Sequence, residues 1–139
     1  EAEKAFRKSL EIEKDNPAVL NYLGYMLADR GLKLEEAVSM IQKAVNTDPI
    51  NGAYLDSLGW AYFRQNKLDL AEEYLKRALK FAGMDSTVND HLGDLYFKTQ
   101  RFEEAKVAWT KSVQLSSDAD EIAKVKKKLD DLRGKVARK

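Results

Sequence analysis

Small and large apolar residues recur along this chain with a period of about 34 residues. A leucine followed by a glycine occurs three times, at Gly24, Gly59 and Gly93, with spacings of 35 and 34 residues. After each glycine come an alanine, a large apolar residue and a small residue in fixed order: Ala37, Ile41 and Ala44, then Ala71, Leu75 and Ala78, then Ala105, Trp109 and Ser112. A fixed period of this length predicts stacked helical repeats.

The same pattern divides the chain into helices joined by short turns. It predicts a first helix over residues 1–14, paired helices at 17–30 and 34–47, at 52–65 and 68–81, and at 86–99 and 102–116, and a terminal helix from Asp118. Asn16 and Ser86 are candidate N-caps, and Pro17 suits a first helical turn. Gly31 is a candidate C-terminal stop. No strand pattern occurs, so the sequence predicts an all-α protein.

The three glycines have a packing role in this scheme. We expect Gly24, Gly59 and Gly93 to let the two helices of a pair approach closely, with the small residues of the second helix on the other side of the contact. Because protein interiors are close-packed, added atoms at these glycines would push the pair apart. These residues define the fold, and we assign them no chemistry.

The three units resemble tetratricopeptide repeats, each an antiparallel helix pair. The second unit carries the family pattern Leu55, Leu58, Gly59, Tyr62, Ala71, Leu75 and Ala78. The first has Leu27 in place of the aromatic residue and one extra residue in its turn. The third has Asn89 in place of the first apolar residue and Ser117 where proline is common. The resemblance implies an all-α solenoid, an α–α superhelix of about three full repeats, with a preceding half repeat and a C-terminal capping helix.

The repeats set the expected organisation of the chain. We expect residues 1–139 to form a single domain with a half-repeat helix (1–15), three repeats (16–50, 51–84 and 85–117) and a capping helix with a basic tail (118–139). The small/large/small spacing of Ala2, Phe6 and Ser9 marks helix 1–14 as the second helix of a repeat whose first helix is missing. This predicts a fragment of a longer protein and self-association through the open N-terminal end, where Phe6 and Leu10 would be exposed.

Composition narrows the functional classes. The 139 residues are 34% charged and 44% hydrophobic, which suits a folded amphipathic helical chain. There is no cysteine, so disulfides and thiolate metal sites are excluded. No apolar run reaches the roughly 20 residues that cross a bilayer. The net charge of +1 lacks the basic excess typical of proteins that bind nucleic acid non-specifically.

The resemblance also implies a binding groove, lined by the first helix of each repeat. By position, the groove residues would be Asn21, Tyr25, Ala28 and Asp29, then Asp56, Trp60, Phe63 and Arg64, then Asp90, Asp94, Phe97 and Lys98; we call these the groove positions. Tyr25 and Trp60 are expected to be exposed there. Phe63 and Phe97 either line the groove or pack between helices.

The groove positions point to the chemistry of a partner. Some members of the family hold a peptide's C-terminal carboxylate with lysines and asparagines. Here Asn21, Asp56 and Asp90 stand where lysine is needed, so this chain is not expected to do so. Aromatic anchors among carboxylates predict binding of a protein or peptide through an apolar or basic segment.

Two rival functions rest on weaker signals. His91 precedes Asp94 by three residues, a spacing that could serve acid–base chemistry or a metal, but there is no second histidine, cysteine, phosphate loop or nucleophile motif. We therefore expect His91 to make an ordinary packing contact and the protein to have no enzymatic activity and no cofactor.

The second rival is the basic tail. Residues 118–139 hold eight basic and five acidic side chains; the basic ones are Lys124, Lys126, Lys127, Lys128, Arg133, Lys135, Arg138 and Lys139. We expect the solvated face of a terminal helix. Contact with nucleic acid or an anionic membrane is the alternative, and a self-assembly or spacer module is a third.

Two short stretches, Leu20–Tyr25 and Tyr54–Trp60, resemble bacterial members of the family in particular. Many of those are envelope lipoproteins or secretion and assembly factors. The resemblance favours a bacterial protein that acts in assembly of a complex, in the periplasm or envelope rather than the cytoplasm.

Overall fold

The described part of the chain is helical. The computed structural model describes residues 3–5, 7, 8 and 16–137, with side chains described up to residue 135. From residue 16 onward it has seven helices: α1 Pro17–Asp29, α2 Leu34–Thr47, α3 Gly52–Arg64, α4 Leu68–Phe81, α5 Ser86–Lys98, α6 Phe102–Leu115 and α7 Ala119–Ala137. The six paired helices begin and end within one residue of their predicted bounds. Within these ranges no strand occurs, and the all-α prediction is confirmed.

The predicted first helix is only partly described. Residues 3–5, 7 and 8 are helical. Glu3 and Arg7 form an ion pair one turn apart, and they also pair with Lys33 and Glu36 of the first repeat. The residues that predicted an apolar end, among them Phe6, lie outside the described residues, so self-association through that end stays a prediction.

The helices group into two compact units, Glu1–Phe81 and Ala82–Lys139. In the first unit α1 packs against α2 and α3 against α4, and α3 also contacts both helices of the preceding pair. In the second unit α5 packs against α6, and α7 packs against α6. The terminal helix therefore packs against the last repeat, as the sequence predicts.

A polar side chain caps the first helix of each of the three repeats. The side chains of Asn16 and Asn51 accept hydrogen bonds from backbone N–H groups three residues on, at 3.2 and 3.1 Å. At α5 the cap is Asp85, whose carboxylate accepts from Thr87 and Val88. The prediction of Ser86 as the N-cap is wrong, because the backbone is extended at Asp85 and already helical one residue later.

Asn89 explains the departure of the third repeat from the family pattern. It replaces an apolar residue and is buried, but its amide donates to the carbonyl oxygens of Gly83 and Asp85, at 3.3 and 2.9 Å. The side chain thus stabilises the turn before α5, and the buried polar group is satisfied.

The first helix of each repeat ends in the same backbone conformation. Gly31, Asn66 and Gln100, each seven residues after a repeat glycine, have positive φ values of 69°, 62° and 62°. At each end the next N–H bonds back to the carbonyl five residues earlier, as in Leu32 to Leu27 at 2.8 Å, which is a Schellman arrangement. The extra residue of the first turn is accommodated by a second left-handed residue, Lys33.

Close contact at the repeat glycines is confirmed. A Cβ at Gly24 would lie 2.5 Å from Cγ1 of Ile41, and one at Gly59 would lie 2.7 Å from Cγ of Leu75. At Gly93 an added Cβ would overlap the ring of Trp109. The large residue of each second helix therefore packs directly on the glycine of the first.

Candidate functional site

The groove positions of the first unit follow the helical repeat. Asn21, Tyr25 and Asp29 are four residues apart on α1, and Asp56, Trp60 and Arg64 are four residues apart on α3. Residues at this spacing share one helix face. Because α3 packs against α1, the two rows belong to neighbouring helices.

Trp60 ties these two helices together. Its ring is 8% exposed and stacks on Phe63 with centroids 5.1 Å apart and planes at 17°. The indole Nε1 donates to Oδ1 of Asp29 at 3.2 Å. One turn later, Nε of Arg64 donates to the carbonyl oxygen of Ala28 at 3.1 Å. Both bonds join α3 to the end of α1.

The remaining groove positions of this unit differ in exposure. Tyr25 is half-buried, while Asp29 and Arg64 are exposed. Oδ1 of Asn21 is buried and has no hydrogen-bond partner among the described residues. We call Asn21, Tyr25, Asp29 and Arg64 the α1–α3 face.

In the second unit the groove positions are contacted by the terminal helix. Nζ of Lys128 lies 2.8 Å from Oδ1 of Asp90 and 2.8 Å from Oδ1 of Asp94. One heptad later, Nζ of Lys135 lies 5.1 Å from the centroid of the Phe97 ring. Rising residue numbers on α7 match rising numbers on α5, so the two helices run in the same direction.

Burial and charge act against each other in this cluster. The side chains of Asp94 and Asp90 are 18% and 27% exposed, and that of Lys128 is 34% exposed. Burial raises the pKa of Asp94, against the attraction of Lys128, and the like charge of Asp90 adds to the rise. Burial alone would lower the pKa of Lys128, but the two carboxylates outweigh it and the pKa is raised.

The ring of Trp109 completes the cluster. Its Nε1 donates to the backbone oxygen of Asp90 at 3.2 Å, and Nζ of Lys128 lies 5.7 Å from its ring centroid. Trp109 also packs against Phe97, with centroids 5.7 Å apart. The lysine ammonium is thus held by two carboxylates and the tryptophan ring.

Comparison with known proteins decides the family. The sequence profile of the tetratricopeptide repeat matches residues 32–87 and 57–120, more than half of the chain. The chain belongs to the tetratricopeptide repeat family. A bacterial relative, TPR repeat-containing protein PA4667 of Pseudomonas aeruginosa, is 46% identical over 92 residues, which make up 66% of this chain and 15% of that protein. The expected resemblance to bacterial tetratricopeptide repeat proteins is confirmed.

Solved structures show the same fold. The first tetratricopeptide domain of Spaghetti (RPAP3), bound to an HSP90 peptide, has a TM-score of 0.75 and 23% identity, covering 90% of this chain and 96% of that one. A MamA structure has a TM-score of 0.68 and 23% identity, covering 99% and 90%. The Sgt2 domain from Aspergillus fumigatus has a TM-score of 0.74 and 22% identity, covering 87% and 79%.

Several groove positions of this tetratricopeptide repeat chain are not exposed as expected. The exposure predicted for Trp60 is wrong, because its ring stacks on Phe63 and its N–H is bonded to Asp29. Asp56 is 6% exposed and Ala28 is fully buried, so neither presents a free side chain. Tyr25, Asp29, Arg64 and Lys98 retain exposed or half-exposed side chains.

Phe63 and Phe97 combine the two expected alternatives, since each packs against neighbouring rings and keeps partial exposure. Phe63 stacks on Trp60, and Phe97 packs against Phe102 and Trp109. Both are therefore fixed in position by aromatic contacts, and both residues remain partly exposed.

The sequence analysis missed Lys128. It was expected on the solvated face of the tail, but it is half-buried against α5. A signal was present, because Lys128 shares the apolar spacing of Val125, Leu129 and Leu132. Neighbouring Lys124, Lys126 and Lys127 are exposed, as expected, whereas Arg138 and Lys139 lie outside the described residues.

His91 lies on α5, three residues before Asp94. It is buried, in agreement with a packing role, and lies close enough to Asp94 to act on its charge. Among the described residues, no three His, Cys, Asp or Glu side chains cluster in a way that could hold a metal ion. None of the helices in the described ranges is both long and apolar enough to cross a membrane.

Proposed function

We propose that this chain binds a segment of another protein on the α1–α3 face. The observation that carries the proposal is the amide oxygen of Asn21, which is buried without a hydrogen-bond partner among the described residues. Buried polar groups are nearly always satisfied, and leaving one unsatisfied costs about 1–3 kcal/mol. A donor from a bound segment would satisfy this oxygen once the Asn21 side chain turns toward the segment, and half-buried Tyr25 lies one turn along the same face.

The residues around Asn21 define the chemistry of the segment. The Asn21 oxygen suits a backbone N–H, as an extended peptide presents. Tyr25 offers apolar surface with a polar end. Asp29 favours a basic side chain, although its Oδ1 already accepts from Trp60. The face therefore suits the apolar or basic segment that the sequence predicts.

The similar structures support this proposal at the level of the fold. The Spaghetti (RPAP3) domain is bound to an HSP90 peptide, so a tetratricopeptide array of this kind accommodates a peptide. The partner of the present chain need not resemble that peptide, because Asn21 and Asp56 replace the lysines of the carboxylate-binding pattern.

Affinity capture with matched variants tests the proposal. The wild-type chain, Tyr25→Ala and Tyr22→Ala are immobilised and exposed to separate cytosolic and envelope extracts of Pseudomonas aeruginosa, the organism of the relative. Tyr22 is the control, because it is on the same helix, is 63% exposed and lies outside the α1–α3 face. Circular dichroism first establishes equal helicity.

The expected result is a protein retained by the wild type and by Tyr22→Ala but lost by Tyr25→Ala. A protein retained equally by all three chains would contradict the proposal. The extract that supplies the partner also tests the proposed periplasmic or envelope location.

The internal role of Lys128 weakens the alternative of a nucleic-acid or membrane contact through the tail. Acidic residues also interrupt the basic face of α7, at Asp130 and Asp131. Steeply salt-dependent binding of RNA or anionic vesicles would favour that alternative. A spacer role is favoured if capture finds no partner.

A further inference from the structure

One asparagine of this chain is followed by glycine. The sequence has six asparagines, and only Asn51 precedes a glycine, Gly52. Asparagine is a chemically labile side chain, because the backbone nitrogen of the next residue can attack its amide carbon. A glycine in that next position has no Cβ to block the approach. Among the asparagines of the chain, Asn51 therefore meets the least steric resistance to this reaction.

The structure places this pair at the start of α3, with Asn51 as the N-cap and Gly52 as the first helical residue. Oδ1 of Asn51 accepts from the backbone N–H of Tyr54 at 3.1 Å, and Nδ2 donates to Oδ2 of Asp48 at 3.3 Å. Both residues of the pair are partly exposed, so water reaches them. The amide of Asn51 is thus held in one orientation at a hydrated turn.

The surroundings of this amide favour attack by the Gly52 nitrogen. The first N–H groups of a helix have no carbonyl one turn earlier to bond, and among the described residues Gly52 donates no hydrogen bond. When the nitrogen attacks, negative charge develops on Oδ1 of Asn51. The N–H of Tyr54 already bonds that oxygen, so a donor is in place where the charge forms.

We propose that Asn51 is a self-modification site, which converts in the folded chain to aspartate and isoaspartate by attack of the Gly52 nitrogen. The Gly52 N–H loses its proton to solvent as its nitrogen bonds to Cγ of Asn51. The Cγ–Nδ2 bond then breaks, and ammonia leaves. One water molecule opens the resulting cyclic imide. Opening at Cγ yields aspartate, and opening at the main-chain carbonyl carbon yields isoaspartate.

The two products are expected to affect the turn differently. Aspartate caps a helix as well as asparagine does, but it cannot donate to Asp48, so two carboxylates would face each other. Isoaspartate carries the main chain through the former side chain, so the cap on Tyr54 is lost. Because α3 packs against both α1 and α2, a change in its first turn acts on the contacts of both helices.

Peptide mapping by mass spectrometry of the intact chain, aged in mildly alkaline buffer, tests the proposal. One digest reports every asparagine, so the five others serve as internal controls. The matched variant is Gly52→Ala, which keeps the asparagine and puts a good helix former in the first turn, but adds a Cβ beside the attacking nitrogen. Circular dichroism first establishes equal helicity. A second wild-type sample is aged in urea.

In the folded chain Asn51 is expected to convert at least about tenfold faster than any other asparagine, and Gly52→Ala is expected to slow this conversion at least about tenfold. Conversion of Asn51 at the rate of the other asparagines would overturn the proposal, as would equal rates in wild type and Gly52→Ala. An Asn51 that converts only in urea would show that the cap protects the side chain, and would overturn it too.

Hydrogen exchange of the Tyr54 amide tests the effect on α3. The variant Asn51→Asp represents one product and is expected to keep this amide protected. The isoaspartate form, separated from the aged wild type by chromatography, is expected to exchange it about tenfold faster. Equal protection in the two forms would overturn the proposed effect. Neither test depends on partner capture, because the reaction needs only the chain and water.

Discussion

At the scale of single residues, the large residue of each second helix leaves no space for a side chain at the repeat glycine. We predict that Gly93→Ala lowers the free energy of unfolding by about 1–3 kcal/mol, because the added Cβ would overlap Trp109. Gly134→Ala is the control. It lies inside α7 with no atom within 4 Å of an added Cβ, so it is expected to stabilise by about 0.5–1 kcal/mol. Urea unfolding of both variants measures whether each substitution raises or lowers the free energy of unfolding. Destabilisation by both would contradict the packing argument.

The left-handed helix ends give a second prediction at this scale. Gln100 has a φ of 62°, which glycine adopts without strain. Gln100→Gly is therefore expected to stabilise the protein by up to about 1 kcal/mol. Lys98→Gly, two residues earlier in right-handed helix, is expected to cost about 1 kcal/mol. Thermal unfolding of the pair checks the difference, and a lower melting temperature for Gln100→Gly would contradict it.

Residue patterns predicted packing better than exposure. The repeat glycines and alanines lie where expected because each has one close partner, set by its spacing. The exposure of Trp60 was predicted wrongly, because it depends on contacts with Asp29 and Phe63 that residue spacing alone does not reveal. Asn66 and Gln100 adopt the left-handed conformation of Gly31 without being glycine, so the residue types at these two positions did not predict their backbone conformation.

At the scale of elements, Lys128 holds α7 against α5. We predict that Lys128→Met lowers the free energy of unfolding by about 1–2 kcal/mol, since two partly buried carboxylates lose their bonded cation. Lys127→Met, on the exposed side of the same helix, is expected to change it by less than about 0.5 kcal/mol. Hydrogen exchange of the α7 amides locates the effect, and equal protection in both variants would contradict it.

The same contact predicts a dependence on alkaline pH. The pKa of Lys128 is raised in the folded chain by Asp94 and Asp90, and His91 lies near Asp94. The stabilisation is therefore fully present below the ordinary lysine pKa of about 10.4 and is lost as the pH rises through the higher folded value. The difference in unfolding free energy between wild type and Lys128→Met is expected to shrink above that pH. A difference that grows would contradict the ion pair.

Helix bounds were predictable because caps and apolar spacing agree. Asn16 and Pro17 begin α1, and the turns of three or four residues follow from the repeat period. The α7 contact was not predictable in the same way. A lysine within a basic run reads as solvated, and the acids that bind it lie 34 and 38 residues earlier in the chain.

At the scale of the whole molecule, the repeat period determines the fold and leaves the partner open. The repeated glycine, alanine and large apolar positions identify the family, and solved structures at 22–23% identity have the same fold. The groove positions were predicted from the family resemblance, and the two units of this chain use them differently. In the first unit Tyr25 is half-buried and Asp29 and Arg64 are exposed, whereas in the second unit Asp90 and Asp94 bind Lys128.

Site-specific photocrosslinking tests the central claim, binding through the α1–α3 face, most directly. A benzophenone amino acid is placed at Tyr25 or at Tyr22, and each chain is irradiated in Pseudomonas aeruginosa cells. The account predicts a discrete adduct at Tyr25, mapped by mass spectrometry to an apolar or basic segment of another protein, and no such adduct at Tyr22. The same adduct from both positions, or one from Tyr22 alone, would contradict it.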